Sequence, residues 1–179
     1  IDRLHKVFPA LCAYAKWWKL NRTWPNGTYW SSGWGTGMDN TPRVPEGYNQ
    51  IFSNGHMEWL DANLQQMLVN ESLLQIGFYI ERWQEIEEVE DENRFLKKHI
   101  NDFMWNDAEG FLFDRYADGS LGTAKGIYAY WALQTDVLGK ERLDRFVAHL
   151  SDSTEFDRPH RVPSLSADHR KYNALGRYW

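Results

Sequence analysis

The apolar positions at the start of the chain, Leu4, Val7, Phe8, Leu11, Ala15 and Trp18, recur in steps of three and four, which predicts a helix with one buried face. Pro9 falls inside that pattern. It lacks an N–H and its ring crowds the preceding turn, so a break or kink is expected early in the helix. From Asn21 to Asn54 the periodicity vanishes, and Gly27, Gly33, Gly35, Gly37 and Gly47 with Pro25, Pro42 and Pro45 punctuate a long connection. Connections of this length inside compact domains are usually functional or disordered. Five aromatic side chains, Trp24, Tyr29, Trp30, Trp34 and Tyr48, argue against disorder. From about His56 to Gln84 two apolar rows return, Leu60/Leu64/Met67 and Val69/Leu73/Ile76/Ile80/Trp83. This long helix should be buried on more than one side.

The acidic run from Glu85 to Glu92 leads into a helix carrying Phe95, Leu96, His99, Ile100 and Phe103, and its charges suit the positive end of that helix. Phe111 to Tyr116, followed by Ala117-Asp118-Gly119-Ser120, predicts a short strand and turn, half of a small hairpin. Helical pattern resumes over Ala124–Leu138 and, after Gly139, over Lys140–Leu150. Pro159 to Ser166 is aperiodic. The expected architecture is all-α: helices in pairs separated by long aromatic loops, one small β-hairpin, a single unit over residues 1–179 and no internal repeat.

Charge and composition narrow the partners. With 20 Lys+Arg against 25 Asp+Glu the formal charge is −5, which gives no net attraction to nucleic acid or an anionic membrane. No run approaches the roughly 18 apolar residues of a membrane span. Cys12 stands alone, so no internal disulfide forms, and no Cys/His spacing suggests zinc. No metal and no cofactor is called for. The chain opens Ile1-Asp2-Arg3, without an initiator Met or a signal-peptide core, and so is expected to be processed or excised from something longer. Localisation is not legible. Asn21-Arg-Thr, Asn26-Gly-Thr and Asn70-Glu-Ser match the glycosylation sequon, a pattern that arises often by chance. The ten tryptophans are the outlier. Several sit beside Gly, Asn and Asp, where stacking on a flat ligand competes with core packing as their reason.

Most catalytic signatures are missing. Gly33-Trp34-Gly35-Thr36-Gly37 has no preceding strand and no following Gly-Lys-Ser/Thr, so it is not a phosphate loop. There is no GxSxG elbow and no HExxH. Asp114 and Asp118 fit a hairpin turn better than a calcium loop, because Tyr116 occupies a position that needs oxygen. What remains is Gly37-Met38-Asp39-Asn40-Thr41-Pro42-Arg43 with Trp30 and Trp34 upstream. Glycosidic cleavage needs a carboxylic acid that donates to the leaving oxygen, and an apolar wall of tryptophan would favour its protonated form. Arg43 suits sugar hydroxyls or the orientation of a neighbouring acid. On local chemistry alone, an Asx-turn made by Asp39 and Asn40 before Thr41-Pro42 is favoured over this reading by a small margin.

Trp30-Ser31-Ser32-Gly33-Trp34-Gly35-Thr36-Gly37-Met38-Asp39-Asn40-Thr41-Pro42-Arg43 resembles the signature of glycoside hydrolase family 63, the α-glucosidases related to mannosyl-oligosaccharide glucosidase, which also resemble trehalases. Phe113-Asp114-Arg115 with Gly122-Thr123-Ala124-Lys125-Gly126 is similar to that family's hairpin and following helix. His160-Arg161-Val162-Pro163-Ser164-Leu165-Ser166-Ala167-Asp168, then Tyr178-Trp179, resembles a third segment, and the three fall in the family's order. The resemblance implies part of an (α/α)6 barrel and an inverting α-glycosidase acting on oligosaccharide or α-glucoside substrates. It implies Asp39 as the general acid. Trp34, Asn40 and Arg43 would line the sugar subsite with Trp30 nearby, and Asp61 would be an acid close to it, although a helix N-terminal charge explains Asp61 equally well.

Inversion needs a second carboxylate, at roughly 6.5–9.5 Å from the acid, that activates water. In the family this base is expected beyond the Tyr-Trp motif, where this chain stops. The expectation is therefore an incomplete catalytic domain whose partner is the rest of its own barrel, inactive by itself. Two other classes stay open: a carbohydrate-binding helical module without catalysis, and a structural helical domain whose tryptophans are all core.

Overall fold

The computed structural model of the protein describes residues 1–160 and 162–175. Helix α1 spans Asp2–Asn21 and buries Phe8 and Ala15. Pro9 does not end it: the helix runs through, giving up the hydrogen bond that an N–H at position 9 would have made. After the connection, which contains the four-residue helix α2 at Gly33–Thr36, comes helix α3 at Leu60–Tyr79. Helix α4 at Trp83–Phe103 packs back along it as a helical hairpin. The expected 56–84 helix is therefore shorter. It closes at Ile80, the chain reverses through Glu81 at φ 59°, and the acidic run lies inside α4 rather than ahead of it.

Helix α3 is the central element, as its two apolar rows required. Leu60, Leu64 and Met67 join Leu96, Ile100, Phe111, Tyr130 and Phe146 in the main core. Leu73 and Ile80 meet Phe8, Ala15 and Ile86 in a second cluster against α1. Between these rows run buried amides. Asn63 accepts from the backbone N–H of Tyr29 at 2.9 Å and donates to the Trp59 carbonyl at 2.7 Å, and so stitches the aromatic connection onto α3. The amide thereby satisfies the Tyr29 N–H, which burial would otherwise leave orphaned.

Strand β1, Trp105–Asn106, pairs antiparallel with β2, Phe111–Leu112, around the turn at Gly110. The partner of Phe111 thus lies upstream, whereas the expected turn at Ala117–Ser120 closes a smaller bridge between Arg115 and Leu121. The segment expected to be helical over Ala124–Leu138 forms a 3-10 helix at Ile127–Gln134, followed by helix α5 at Lys140–Ala148. Among the described residues no helix is long and apolar enough to cross a membrane.

Candidate active site

The connection between α1 and α3 is built tightly around Asp39. Ser32 caps α2 by accepting from the Gly35 N–H at 3.2 Å, and Gly37 ends it at φ 72°. Gly33 is forced by close approach: a Cβ there would stand 2.5 Å from the Gln50 carbonyl oxygen and 3.1 Å from the Asp39 Cα. The turn that carries Asp39 is closed by main-chain bonds, Met38 N–H to Gly33 O at 3.1 Å and Thr41 N–H to Met38 O at 3.2 Å. Its carboxylate takes no part in that turn, so the Asx-turn alternative is not what forms. Asp39 is half-buried, and its carboxylate has no hydrogen-bond or ion-pair partner among the described residues.

Four residues on, Arg43 is fully buried and fully engaged. Its Nη1 and Nη2 donate to Asp61 at 2.8 and 2.9 Å, and its Nε and Nη2 donate to Asp114 at 2.8 and 2.6 Å. The guanidinium lies 3.6 Å from the Tyr128 ring centroid and 4.4 Å from that of Trp59. Burial alone would push Arg43 down, but Asp114 and Asp61 hold it well above the ordinary arginine value. The two acids share one cation. Burial, reinforced by Asp114, pushes the Asp61 carboxyl up by more than Arg43 pulls it down. Asp114 also accepts from the Leu60 N–H at 2.9 Å, capping α3.

The three resembling segments converge here. Arg43 of the first bonds to Asp114 of the second. The Ile127 N–H donates to Ser164 O at 2.9 Å and the Ser166 N–H to Lys125 O at 2.9 Å, which docks the third beside the second. Lys125 also pairs with Asp168 at 2.6 Å and with Glu155, which in turn bonds to His149. Arg161, Tyr178 and Trp179 lie outside the described residues. A cavity of about 630 Å³ opens between the first and third segments, walled by Asn40, Tyr48, Gln50, His160, Leu165 and Lys171 among others. This is within the usual size range of small-molecule sites.

The expected site residues separate into three places. Asn40 lines the cavity and Asp39 immediately precedes it. Arg43 and Asp61 are buried beneath, bonded to each other, so they face a carboxylate or a guanidinium rather than a sugar. Neither tryptophan lines this cavity. Trp34 is 68% exposed and tilts onto Phe52 with ring centroids 6.1 Å apart. Trp30 turns the other way, under Arg22 at 4.6 Å and against Trp24. The anticipated tryptophan wall is replaced by amides, Tyr48 and two basic side chains. Trp59 and Tyr128 carry no sequence signal for this site, and Asp114 reads from the sequence only as a hairpin-turn residue of the second resembling segment. The available signal was charge: an arginine set into an aromatic, glycine-bounded loop has to find carboxylates. Among the described residues no cluster of His, Cys, Asp and Glu is placed to hold a metal ion.

Known proteins share the fold. An uncharacterized protein of Borreliella burgdorferi is 24% identical over 97% of the chain, and the chain spans 35% of that protein's length. A sialidase superposes with a TM-score of 0.81 at 15% identity, covering 94% of this chain and 15% of its own. An uncharacterized conserved protein from Thermus thermophilus gives 0.79 at 18% identity, over 99% of this chain and 53% of its own. The neutral trehalase Nth1 from Saccharomyces cerevisiae gives 0.58 at 16% identity, over 81% and 27%. These superpositions establish the fold as helical hairpins of the (α/α)6 barrel type. The model of the mannosylglycerate hydrolase MGH1-like glycoside hydrolase domain matches residues 2–179, and the chain belongs to that family.

Proposed function

We infer that this chain supplies the acid-bearing part of an inverting α-glycosidase, with Asp39 as the general acid. One observation carries the assignment. Of the three aspartates of the motif and its support, Asp61 and Asp114 are spent on Arg43, whereas the carboxylate of Asp39, the residue before cavity-lining Asn40, is unengaged among the described residues. A general acid has to exchange its proton with solvent and pass it to a leaving oxygen, and a carboxylate locked on a buried guanidinium does neither. The rigid turn between Gly33 and Arg43 then serves to hold that acid in a fixed attitude. The general base comes from residues outside this chain, and the isolated chain does not turn over substrate.

The cavity lining bears on the substrate. An α-glucoside or gluco-oligosaccharide remains the reading carried by the sequence resemblance. A second reading is favoured by Lys171 and His160, two basic side chains in a wall otherwise rich in amides. They suit a short α-glycoside whose aglycone bears a carboxylate, in keeping with the mannosylglycerate of the family's name. The test is proton NMR of the first sugar released by the intact protein from α-mannosylglycerate and from an α-glucoside. Inversion delivers the β anomer before mutarotation, while initial release of the α anomer overturns the mechanism. The substrate cleaved faster decides between the two aglycones.

A further inference from the structure

The segment that leaves β2, Phe113-Asp114-Arg115-Tyr116, takes hold of Arg43 from both ends. Asp114 grips the guanidinium through its Nε and Nη2 edge at 2.8 and 2.6 Å. Two residues later, the Tyr116 hydroxyl donates to the main-chain oxygen of Arg43 at 3.1 Å. The segment is itself immobilised. Arg115 exchanges both main-chain hydrogen bonds with Glu58, at 2.8 and 3.2 Å, and its guanidinium donates to the Glu58 carboxylate at 2.9 Å. Asp114 caps α3 at Leu60, and the Tyr128 hydroxyl lies 3.3 Å from its second oxygen.

Arg43 is the downstream anchor of the Asp39 turn, as Gly33, pressed against Gln50, is the upstream one. Stability alone does not account for this construction. Two carboxyl groups and one guanidinium, all at most 2% exposed, are withdrawn from water in the interior, where an apolar packing of equal volume would be no worse. A pair of bidentate contacts, however, fixes a planar group in position and in orientation.

We propose that Asp114 and Tyr116 are positioning residues that clamp Arg43 by side chain and by backbone, and so hold the Asp39 turn where the acid can protonate a leaving group. This rests on the reading of Asp39 as general acid. A displacement of about 1 Å in such a turn is enough to cost on the order of 10²-fold in rate.

The experiment uses the intact protein and two α-glycosides with the same glycone, one with an alkyl aglycone that leaves only with a proton, the other with a 2,4-dinitrophenyl aglycone that leaves without one. Asp39→Asn provides the reference pattern, a large loss on the alkyl glycoside and little on the dinitrophenyl one. Asp114→Asn keeps the shape but places an amide N–H against the donors of Arg43. Its kcat on the alkyl glycoside is expected to fall about 10²-fold, with KM and the dinitrophenyl rate within about threefold of wild type. Tyr116→Phe removes one hydroxyl and should show the same selectivity at about fivefold. It carries the test alone if Asp114→Asn does not fold. Equal losses on both substrates, or none, in a folded variant overturn the clamp. If Asp39→Asn itself shows no selectivity, the acid assignment fails, and the clamp falls with it.

Discussion

Replacing Arg43 by Met removes the cation from the buried cluster and leaves Asp61 and Asp114 facing each other, each at most 2% exposed. Removing one partner of a buried ion pair costs about 3–5 kcal/mol. The structure gives an independent route to the same figure. With no cation between them the two carboxylates cannot both stay ionised, so the variant folds only with a proton on one of them. Holding that proton at pH 7 on a group whose unfolded value is about 3.9 costs about 4 kcal/mol, at 1.36 kcal/mol per pH interval. At pH 5 the same reckoning gives about 1.5 kcal/mol. The sign follows from linkage: a carboxyl raised in the folded state contributes stability that is fully present below its unfolded value and is lost as pH rises through its folded value. Arg43 pulls the Asp61 carboxyl down in the wild type and is gone from the variant, so the variant carries the larger pH dependence and should gain on wild type as the pH falls from 7 to 5. Urea unfolding of both proteins at the two pH values measures this. A difference under about 1 kcal/mol at pH 7, or one that does not shrink at pH 5, refutes the reasoning.

Two further substitutions probe the scaffold. Asn63→Ala strands the buried Tyr29 N–H, while the Trp59 carbonyl keeps the main-chain N–H of residue 63, and should cost about 1–3 kcal/mol in urea unfolding. Gly77→Ala places a methyl 2.3 Å from Ile86 Cγ2 and 3.1 Å from Phe8 Cζ, where α1, α3 and α4 meet. Overpacking of about 1–3 kcal/mol should outweigh the helix propensity gain of about 1 kcal/mol, and a lowered melting temperature is the readout.

Much of the fold was legible from periodicity, because the helices α1, α3 and α4 carry their packing as steps of three and four. The two apolar rows of α3 announced a helix buried on both sides, and the core clusters on its opposite faces confirm it. Boundaries were less legible. Nothing in Ile80-Glu81-Arg82 breaks a helix by residue type, since Glu81 enters the left-handed region only because the packing of α4 against α3 offsets that strain. The 3-10 helix at Ile127–Gln134 is not distinguishable from an ordinary helix in the sequence, because Ile127 to Leu133 is an unbroken apolar and aromatic run with no periodicity to separate the two. At the candidate site the sequence indicated the loop and its acid but not the support beneath. Asp114 lies seventy-one residues from Arg43, and no local pattern records a contact made only when the chain folds. The tryptophans misled in a physical way: Trp30 and Trp34 are near Asp39 along the chain, yet the glycines between them let the backbone turn both indoles away from the cavity.

The proposed chemistry depends most on the carboxyl group at position 39, and the measurement that addresses it directly is kcat on an unactivated α-glycoside, with calorimetric sugar binding alongside, for the intact protein carrying Asp39→Asn. Asn keeps the shape and gives up the transferable proton. A general acid contributes about 10²–10⁴-fold, so kcat should fall within that range while binding and melting temperature stay near wild type. A folded variant that hydrolyses the glycoside at the wild-type rate contradicts the acid role.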